Sequence, residues 1–346
     1  MKAVTVSVLS VWFALVAALP FCARAAASSA DPGPLTIAKQ GSFFVGGHDA
    51  HFDTLSTRPP AAPSGTVTVD QVYVHYQIPV GAKPLSLVLI HGCCLTGKTW
   101  ETTPDGRMGW AEYFVRRGFP TYVIDQAERG RSAGRIDIVN AVKLGKRPPS
   151  ALPDVFAATH EDAWTLFRFG PAYAQAYPGV RFPLAAADEF WKQMVPDWSG
   201  SMPVPNATVP ALAQLSAKLG RTVLISHSQS GIYPFQAFAQ SPTGIAGIIA
   251  VEPGRCPAPD EAARYAGVPI LILWGDYIAL SARWAPRLAV CRAFAKAVDG
   301  AGGKADLVVL PDIGIRGNTH MLMQDDNNLQ IADRLIDWME AHIVEH

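Results

Sequence analysis

Six short, almost wholly apolar runs recur along this chain, at 85–90 (LSLVLI), 121–124 (TYVI), 222–225 (TVLI), 247–251 (GIIAV), 269–273 (PILIL) and 307–310 (LVVL). Each is too short for a helix and lacks the polar alternation of a strand with one wet face. Each therefore reads as a strand buried on both faces. Helical spacing fills gaps between them, at 109–117, 232–239, 285–298 and 328–341. Buried strands alternating with helices predict an α/β protein whose mostly parallel, doubly wound sheet is covered on both sides. The segment 66–78 (TVTVDQVYVHYQI) alternates instead, and predicts antiparallel pairing at the N-terminal edge. Residues 28–63, rich in Pro, Gly and Ala, predict surface loop with short edge strands.

One stretch breaks the alternation. Between Arg135 and Ser216 no buried run occurs, yet aromatic residues crowd from Trp164 to Trp198. Helices are predicted over 136–144 and 184–194, and an insertion of about 135–215 suits a cap over the strand ends, its aromatics offering an apolar pocket. At the N-terminus, Lys2, an apolar stretch over 4–20 and the small-x-small Ala23-Arg24-Ala25 have the layout of a secretory signal peptide. Cleavage after Ala25 leaves 26–346 as one domain, expected to be secreted or periplasmic. The apolar stretch is short for a membrane span and no basic stop-transfer cluster follows. Lys plus Arg equals Asp plus Glu at 29 each, so no net field recruits nucleic acid or anionic membrane. Cleavage also removes Cys22 from the five cysteines. Cys93, Cys94, Cys256 and Cys291 remain, an even set suited to an oxidising compartment, with three connectivities open.

The chemistry concentrates in Ser226-His227-Ser228-Gln229-Ser230-Gly231, directly after one buried strand and before a helix. A nucleophile elbow needs that context, with small residues two before and two after the nucleophile. Ser226 and Ser230 hold those places, where glycine is more usual, and Ser228 stands at the apex. His227 is expected to point away, into the strand's other face. A serine nucleophile needs a base, and after Ser228 the polar loop Gly317-Asn318-Thr319-His320 supplies one where the order Ser, acid, His requires it. Two carboxylates compete to orient His320. Asp276 follows the run at 269–273, and Glu252 ends the run before it. Strand position alone favours Asp276 slightly. His91-Gly92-Cys93-Cys94, after the strand at 85–90, is placed to supply one oxyanion donor, the N–H of Cys93, with the N–H of Gln229 as the other.

At these residues the sequence resembles the secreted bacterial serine esterases of the α/β-hydrolase fold that carry an HGCCLTG oxyanion loop. The resemblance spans nearly all of the chain after Ala25. It includes GSFFVGG, TVTVDQVYVHYQIP, HGCCLTGKTWETTPDGRMGW, YVIDQAERGRSA, SHSQSGIYPFQ, VEPG, RWAPRL and HMLMQD. It implies a catalytic set of Ser228, Glu252 and His320, so Glu252 displaces Asp276 as the expected acid. It also implies a Cys93–Cys94 disulfide at the oxyanion hole and a second bridge, Cys256–Cys291. A departure is the cluster His48, Asp49, His51 and Asp53, which reads as a polar loop rather than a metal site.

The leading expectation is a carboxylesterase that needs no cofactor or metal and acts on a small-molecule ester with an apolar portion. Lactone, thioester or amide hydrolysis would use the same residues. A non-catalytic extracellular binding protein is the rival of another class, and a homodimer is left open.

Overall fold

The computed structural model describes residues 33–132, 134–198 and 206–343. The signal-peptide reading falls on residues outside these. The chain divides into residues 1–35, whose described part (33–35) carries no regular element, and a body from Thr36 onward.

The strands of that body are β1 (Ile37–Phe52), β2 (Gly65–Pro79), β3 (Ser86–Ile90), β4 (Thr121–Asp125), β5 (Thr222–His227), β6 (Ile245–Val251), β7 (Ile270–Trp274) and β8 (Ala305–Val309). The helices are α1 (Trp110–Arg116), α2 (Asp137–Lys143), α3 (His160–Leu166), α4 (Ala187–Lys192), α5 (Thr208–Leu219), α6 (Tyr233–Gln240), α7 (Ala285–Gly300) and α8 (Asn328–His342). One sheet runs in the order β1-β2-β4-β3-β5-β6-β7-β8. β1 pairs antiparallel with β2 and β2 pairs antiparallel with β4, while all later neighbours are parallel. This is the α/β-hydrolase arrangement. The apolar runs of β3, β4, β5 and β7 are buried at every position, because helices cover both faces there.

Residues 28–63 differ from expectation. They contain a sixteen-residue strand, β1, paired with β2 along nearly its whole length. It lies at the sheet edge and is mostly exposed, so its composition carries little of the apolar signal that marks a buried strand. The histidines and aspartates of the 48–53 cluster therefore stand on a strand or just beyond it. His48 faces Asp70 at 3.7 Å, and His51 bonds Ser64 and Thr66.

Within the insertion α2, α3 and α4 form, with a 3-10 turn leading into α4. The only strand-like contacts among its described residues are the single bridges Phe156–Asp197 and Ala172–Gln175. Phe167, Phe169, Phe182 and Phe190 are buried against one another. They join the hydrophobic core that continues beneath the sheet's helices, and Phe167 also lies against His320. α5 packs on α6 and β1, with the helices that cover the sheet.

Cys256 and Cys291 form a disulfide across 35 residues, tying the loop after β6 to α7. Closing a loop of that length removes about 4 kcal/mol of unfolded-chain entropy in the chain-entropy account. The Cys256→Ala/Cys291→Ala variant is expected to lose about 2–4 kcal/mol in a denaturant titration. A loss below about 0.5 kcal/mol would show that the bridge does not constrain the unfolded chain.

Candidate active site

β5 ends at His227, and the chain turns into a 3-10 segment that leads into α6. Ser228, at the apex, has φ +56°, a left-handed conformation that costs energy for a residue with a Cβ. Three contacts hold that turn. The Ser230 hydroxyl donates to the Ile90 and His227 carbonyls and accepts from the His227 N–H, so serine ties the turn to β3. Gly254 N–H donates to the Ser228 carbonyl at 2.6 Å. Gly231 lies so near Pro253 that a Cβ there would stand 2.5 Å from the proline Cβ. The required close approach is thus at Gly231, one residue beyond the position that elbow spacing singles out.

His320 lies in the loop before α8, with no solvent exposure. Its Nδ1 meets Glu252 Oε2 at 2.9 Å, and its Nε2 is buried without a hydrogen-bond partner among the described residues. Its backbone is held at both ends: its N–H donates to the Phe167 carbonyl, and His227 Nε2 donates to its carbonyl at 2.8 Å. Phe167 and Trp284 lie over the ring. Asp325 accepts from Thr319 N–H, the Thr319 hydroxyl and Asn318, fixing the residues just before His320. Burial lowers the His320 pKa to about 4, against the pull of Glu252 and with help from Arg168. Burial alone would raise Glu252, but Arg168 and His320 outweigh it and hold the carboxyl down at about 2.

The loop after β3 reaches the same place. A Cβ on Gly92 would lie 2.9 Å from the Ser228 Cβ, so this turn presses on the elbow and glycine is required. His91 is fully buried, and burial, followed by Arg129, lowers its pKa to about 4. The neutral ring accepts from the Gln126 N–H at Nε2 and donates from Nδ1 to the Gly92 carbonyl at 2.8 Å. That carbonyl and the Cys93 N–H belong to one peptide, so His91 sets the direction of the N–H.

No family model matches the chain. A bacterial esterase solved at atomic resolution is 58% identical, covering 91% of this chain and 99% of its own, with a TM-score of 0.90. The chain belongs to the esterases of the α/β-hydrolase type. A probable secreted lipase, phiG, from Fungal sp. (strain ATCC 74256), is 26% identical over 78% of this chain and 85% of its own. This esterase is a hydrolase acting on ester bonds.

Of the two carboxylates weighed for His320, Glu252 is the one that touches it. The Asp276 carboxylate accepts instead from the N–H groups of Tyr277 and Gly317, and shapes the loop beside the site. His227 corrects an expectation. It does not point away, since its ring centroid lies 4.7 Å from that of His320. Cys93 and Cys94, the pair whose bond the resemblance implies, bring their sulfurs to within 3.0 Å of each other. Cys94 is in a left-handed conformation, φ +60°, with its N–H bonded to Asp197 and its carbonyl to the Val195 N–H. Hydrogen bonding to Cys93 and burial push the Cys94 thiol pKa up, which keeps it protonated.

Two charged residues of the insertion escaped the sequence reading. Arg168 pairs with Glu252 in full burial. Asp197 pairs with buried Arg129 and accepts from Gln229 Nε2 at 3.2 Å as well as from the Cys94 N–H. Asp197 therefore joins the Cys93-Cys94 turn to Gln229. With the two cysteines it forms a grouping of metal-compatible side chains among the described residues, but its oxygens are already engaged by Arg129, Gln229 and the Cys94 N–H. Neither residue leaves a signal in the sequence, because the burial that sets it apart exists only in the assembled fold.

Proposed function

We propose that the esterase is a serine hydrolase in which Ser228 is the nucleophile, His320 the base and Glu252 the acid that orients it. The N–H groups of Cys93 and Gln229 hold the oxyanion. The buried Glu252–His320 pair, 2.9 Å apart beside the left-handed turn of Ser228, carries this reading.

As Ser228 Oγ attacks the ester carbonyl, His320 Nε2 takes the hydroxyl proton. The carbonyl oxygen becomes an oxyanion between the two N–H groups, and losing one donor should cost about a hundredfold or more in turnover. The tetrahedral centre collapses, the C–O bond to the alcohol breaks, and His320 returns its proton to the departing oxygen. Water then attacks the acyl-enzyme with His320 again as base, releasing the carboxylic acid and restoring Ser228. Glu252 holds the imidazole with Nδ1–H toward itself and stabilises the imidazolium as it forms. Neutral His91 and the Asp197 carboxylate keep the Gly92–Cys93 peptide and Gln229 aimed before substrate arrives, so little reorganisation is needed in the transition state.

The insertion caps this site, and the substrates are esters with an apolar portion. The likeness to a secreted lipase and the signal-peptide layout support export to the periplasm or the medium. The Cys256–Cys291 bridge fits the oxidising conditions found there.

A fluorophosphonate tests the nucleophile directly. One equivalent should abolish aryl-ester hydrolysis, and peptide mass mapping should find the adduct on Ser228 alone. An adduct elsewhere, or full activity after modification, would refute the assignment.

A further inference from the structure

We propose that Arg168, carried to the site by the insertion, is a positioning residue that clamps the Glu252 carboxylate and keeps one oxygen in line with His320. The proposal rests on the serine-hydrolase reading and deepens it. Arg168 Nη1 donates to Oε2 at 2.8 Å and Nη2 to Oε1 at 2.5 Å, the two-pronged geometry that only a guanidinium offers. Gly275 N–H adds a bond to Oε1, and His320 Nδ1 meets Oε2. Each oxygen thus has two partners, and the carboxylate has no freedom to rotate. The clamp is itself anchored. Arg168 Nε donates to the Asp276 carbonyl at 2.8 Å, and its backbone sits at φ +58°, just beyond the end of α3. The residue before it, Phe167, accepts the His320 N–H and lies parallel to the imidazole. One short stretch of the insertion therefore holds both the base and the acid. A lid that swung open would carry them apart, so this part of the insertion stays seated during turnover.

The same arrangement sets where the base titrates. The charged and titratable groups facing His320 are Glu252 after β6, Arg168 after α3, His227 at the end of β5 and Arg283 ahead of α7. Arg168 takes up part of the carboxylate's charge and places its own cation 3.5 Å from Nδ1. A proton on His320 is therefore less welcome than in a simple Glu–His pair. Only neutral imidazole accepts the serine proton, so activity falls as pH drops through the His320 pKa. Burial and Arg168 together keep that fall below the ordinary value of 6.5, toward about 4. Removing the guanidinium strengthens the attraction between Glu252 and the imidazolium, and also lets Glu252 protonate more readily. Both changes move the acid limb upward.

The test measures the pH dependence of fluorophosphonate labelling at Ser228 and of aryl-ester kcat and KM, in the wild type, Arg168→Met and Arg168→Lys. Arg168→Met is expected to lower kcat about a hundredfold with KM changed only a few-fold, since misplaced groups slow chemistry more than binding. Its acid limb should rise by about one pH unit or more. Arg168→Lys, which keeps the charge but loses the fork, should hold the wild-type limb within about 0.5 unit and still be slow. Wild-type kcat in Arg168→Lys, or a wild-type limb in Arg168→Met, would overturn the proposal. Should Arg168→Met not fold, the Arg168→Lys rate decides alone. A wild type that labels at no pH on Ser228 would refute the serine reading instead, so the two failures are distinct.

Discussion

Replacing Ser228 by alanine should lower kcat for aryl esters by a factor of about 10⁴ to 10⁶ while KM changes only a few-fold. The substitution deletes the attacking oxygen and nothing else of size. Alanine adopts the left-handed φ of +56° at a cost similar to serine's, so the turn persists. The ties that hold the elbow run through the Ser228 carbonyl, Ser230 and Gly231, none of which changes. The thermal midpoint should therefore stay within about 2 °C of the wild type, matching a ΔΔG within about 0.5 kcal/mol. The oxyanion hole and the binding contacts survive and account for the residual rate over water. Steady-state kinetics on purified, fully folded protein would settle it. Retention of a tenth of the activity would exclude Ser228 as the nucleophile.

Glu252→Gln should be nearly as damaging, with kcat reduced about 10⁴-fold per folded molecule. An amide keeps the volume of the carboxyl but presents an N–H₂ group to either His320 Nδ1 or Arg168. Toward His320 it stabilises the wrong tautomer, with the proton on Nε2 and no acceptor left for the serine. Toward Arg168 it opposes donor to donor in a site with no solvent exposure. The variant also leaves the Arg168 charge uncompensated in the interior, which costs about 3–5 kcal/mol of stability. Asp276→Asn provides the contrast. It weakens the acceptor of the Tyr277 and Gly317 N–H groups, so about 1–2 kcal/mol of stability is lost, but His320 keeps its partner. Its kcat should fall less than about tenfold, because the acid that stabilises imidazolium is untouched. Circular dichroism and a denaturant titration separate folding from turnover in both variants. The reverse ranking would move the acid to Asp276.

The six apolar runs became β3 through β8; β3, β4, β5 and β7 are buried at every position, as a strand covered on both faces must be, whereas β8 at the far edge of the sheet is only partly buried. β1 left no such mark. It is an exposed edge strand, and its long pairing with β2 is set by hydrogen bonds that any residue can make. Among the proposed site residues, Ser228 and His320 were picked out by chain order and turn chemistry. Which carboxylate meets His320 was not legible from strand position, since Glu252 and Asp276 both follow buried strands and strand position alone leaned toward Asp276. The aromatics of the insertion were visible, but whether they line a pocket or pack on one another depends on how α3 and α4 fold back.

What the sequence by itself determined is therefore local: which segments are strands, where the tight turn after β5 falls, and which loop carries the proposed base. Those features depend on side-chain burial and backbone geometry over fewer than about ten residues. The tertiary structure decided everything that depends on distance through space. It joined Glu252 to a histidine 68 residues away and to an arginine 84 residues away. It also brought Asp197 onto the turn at Cys94 across 103 residues. Charge pairs of this kind have no periodicity, and their strength comes from burial that only the assembled fold supplies.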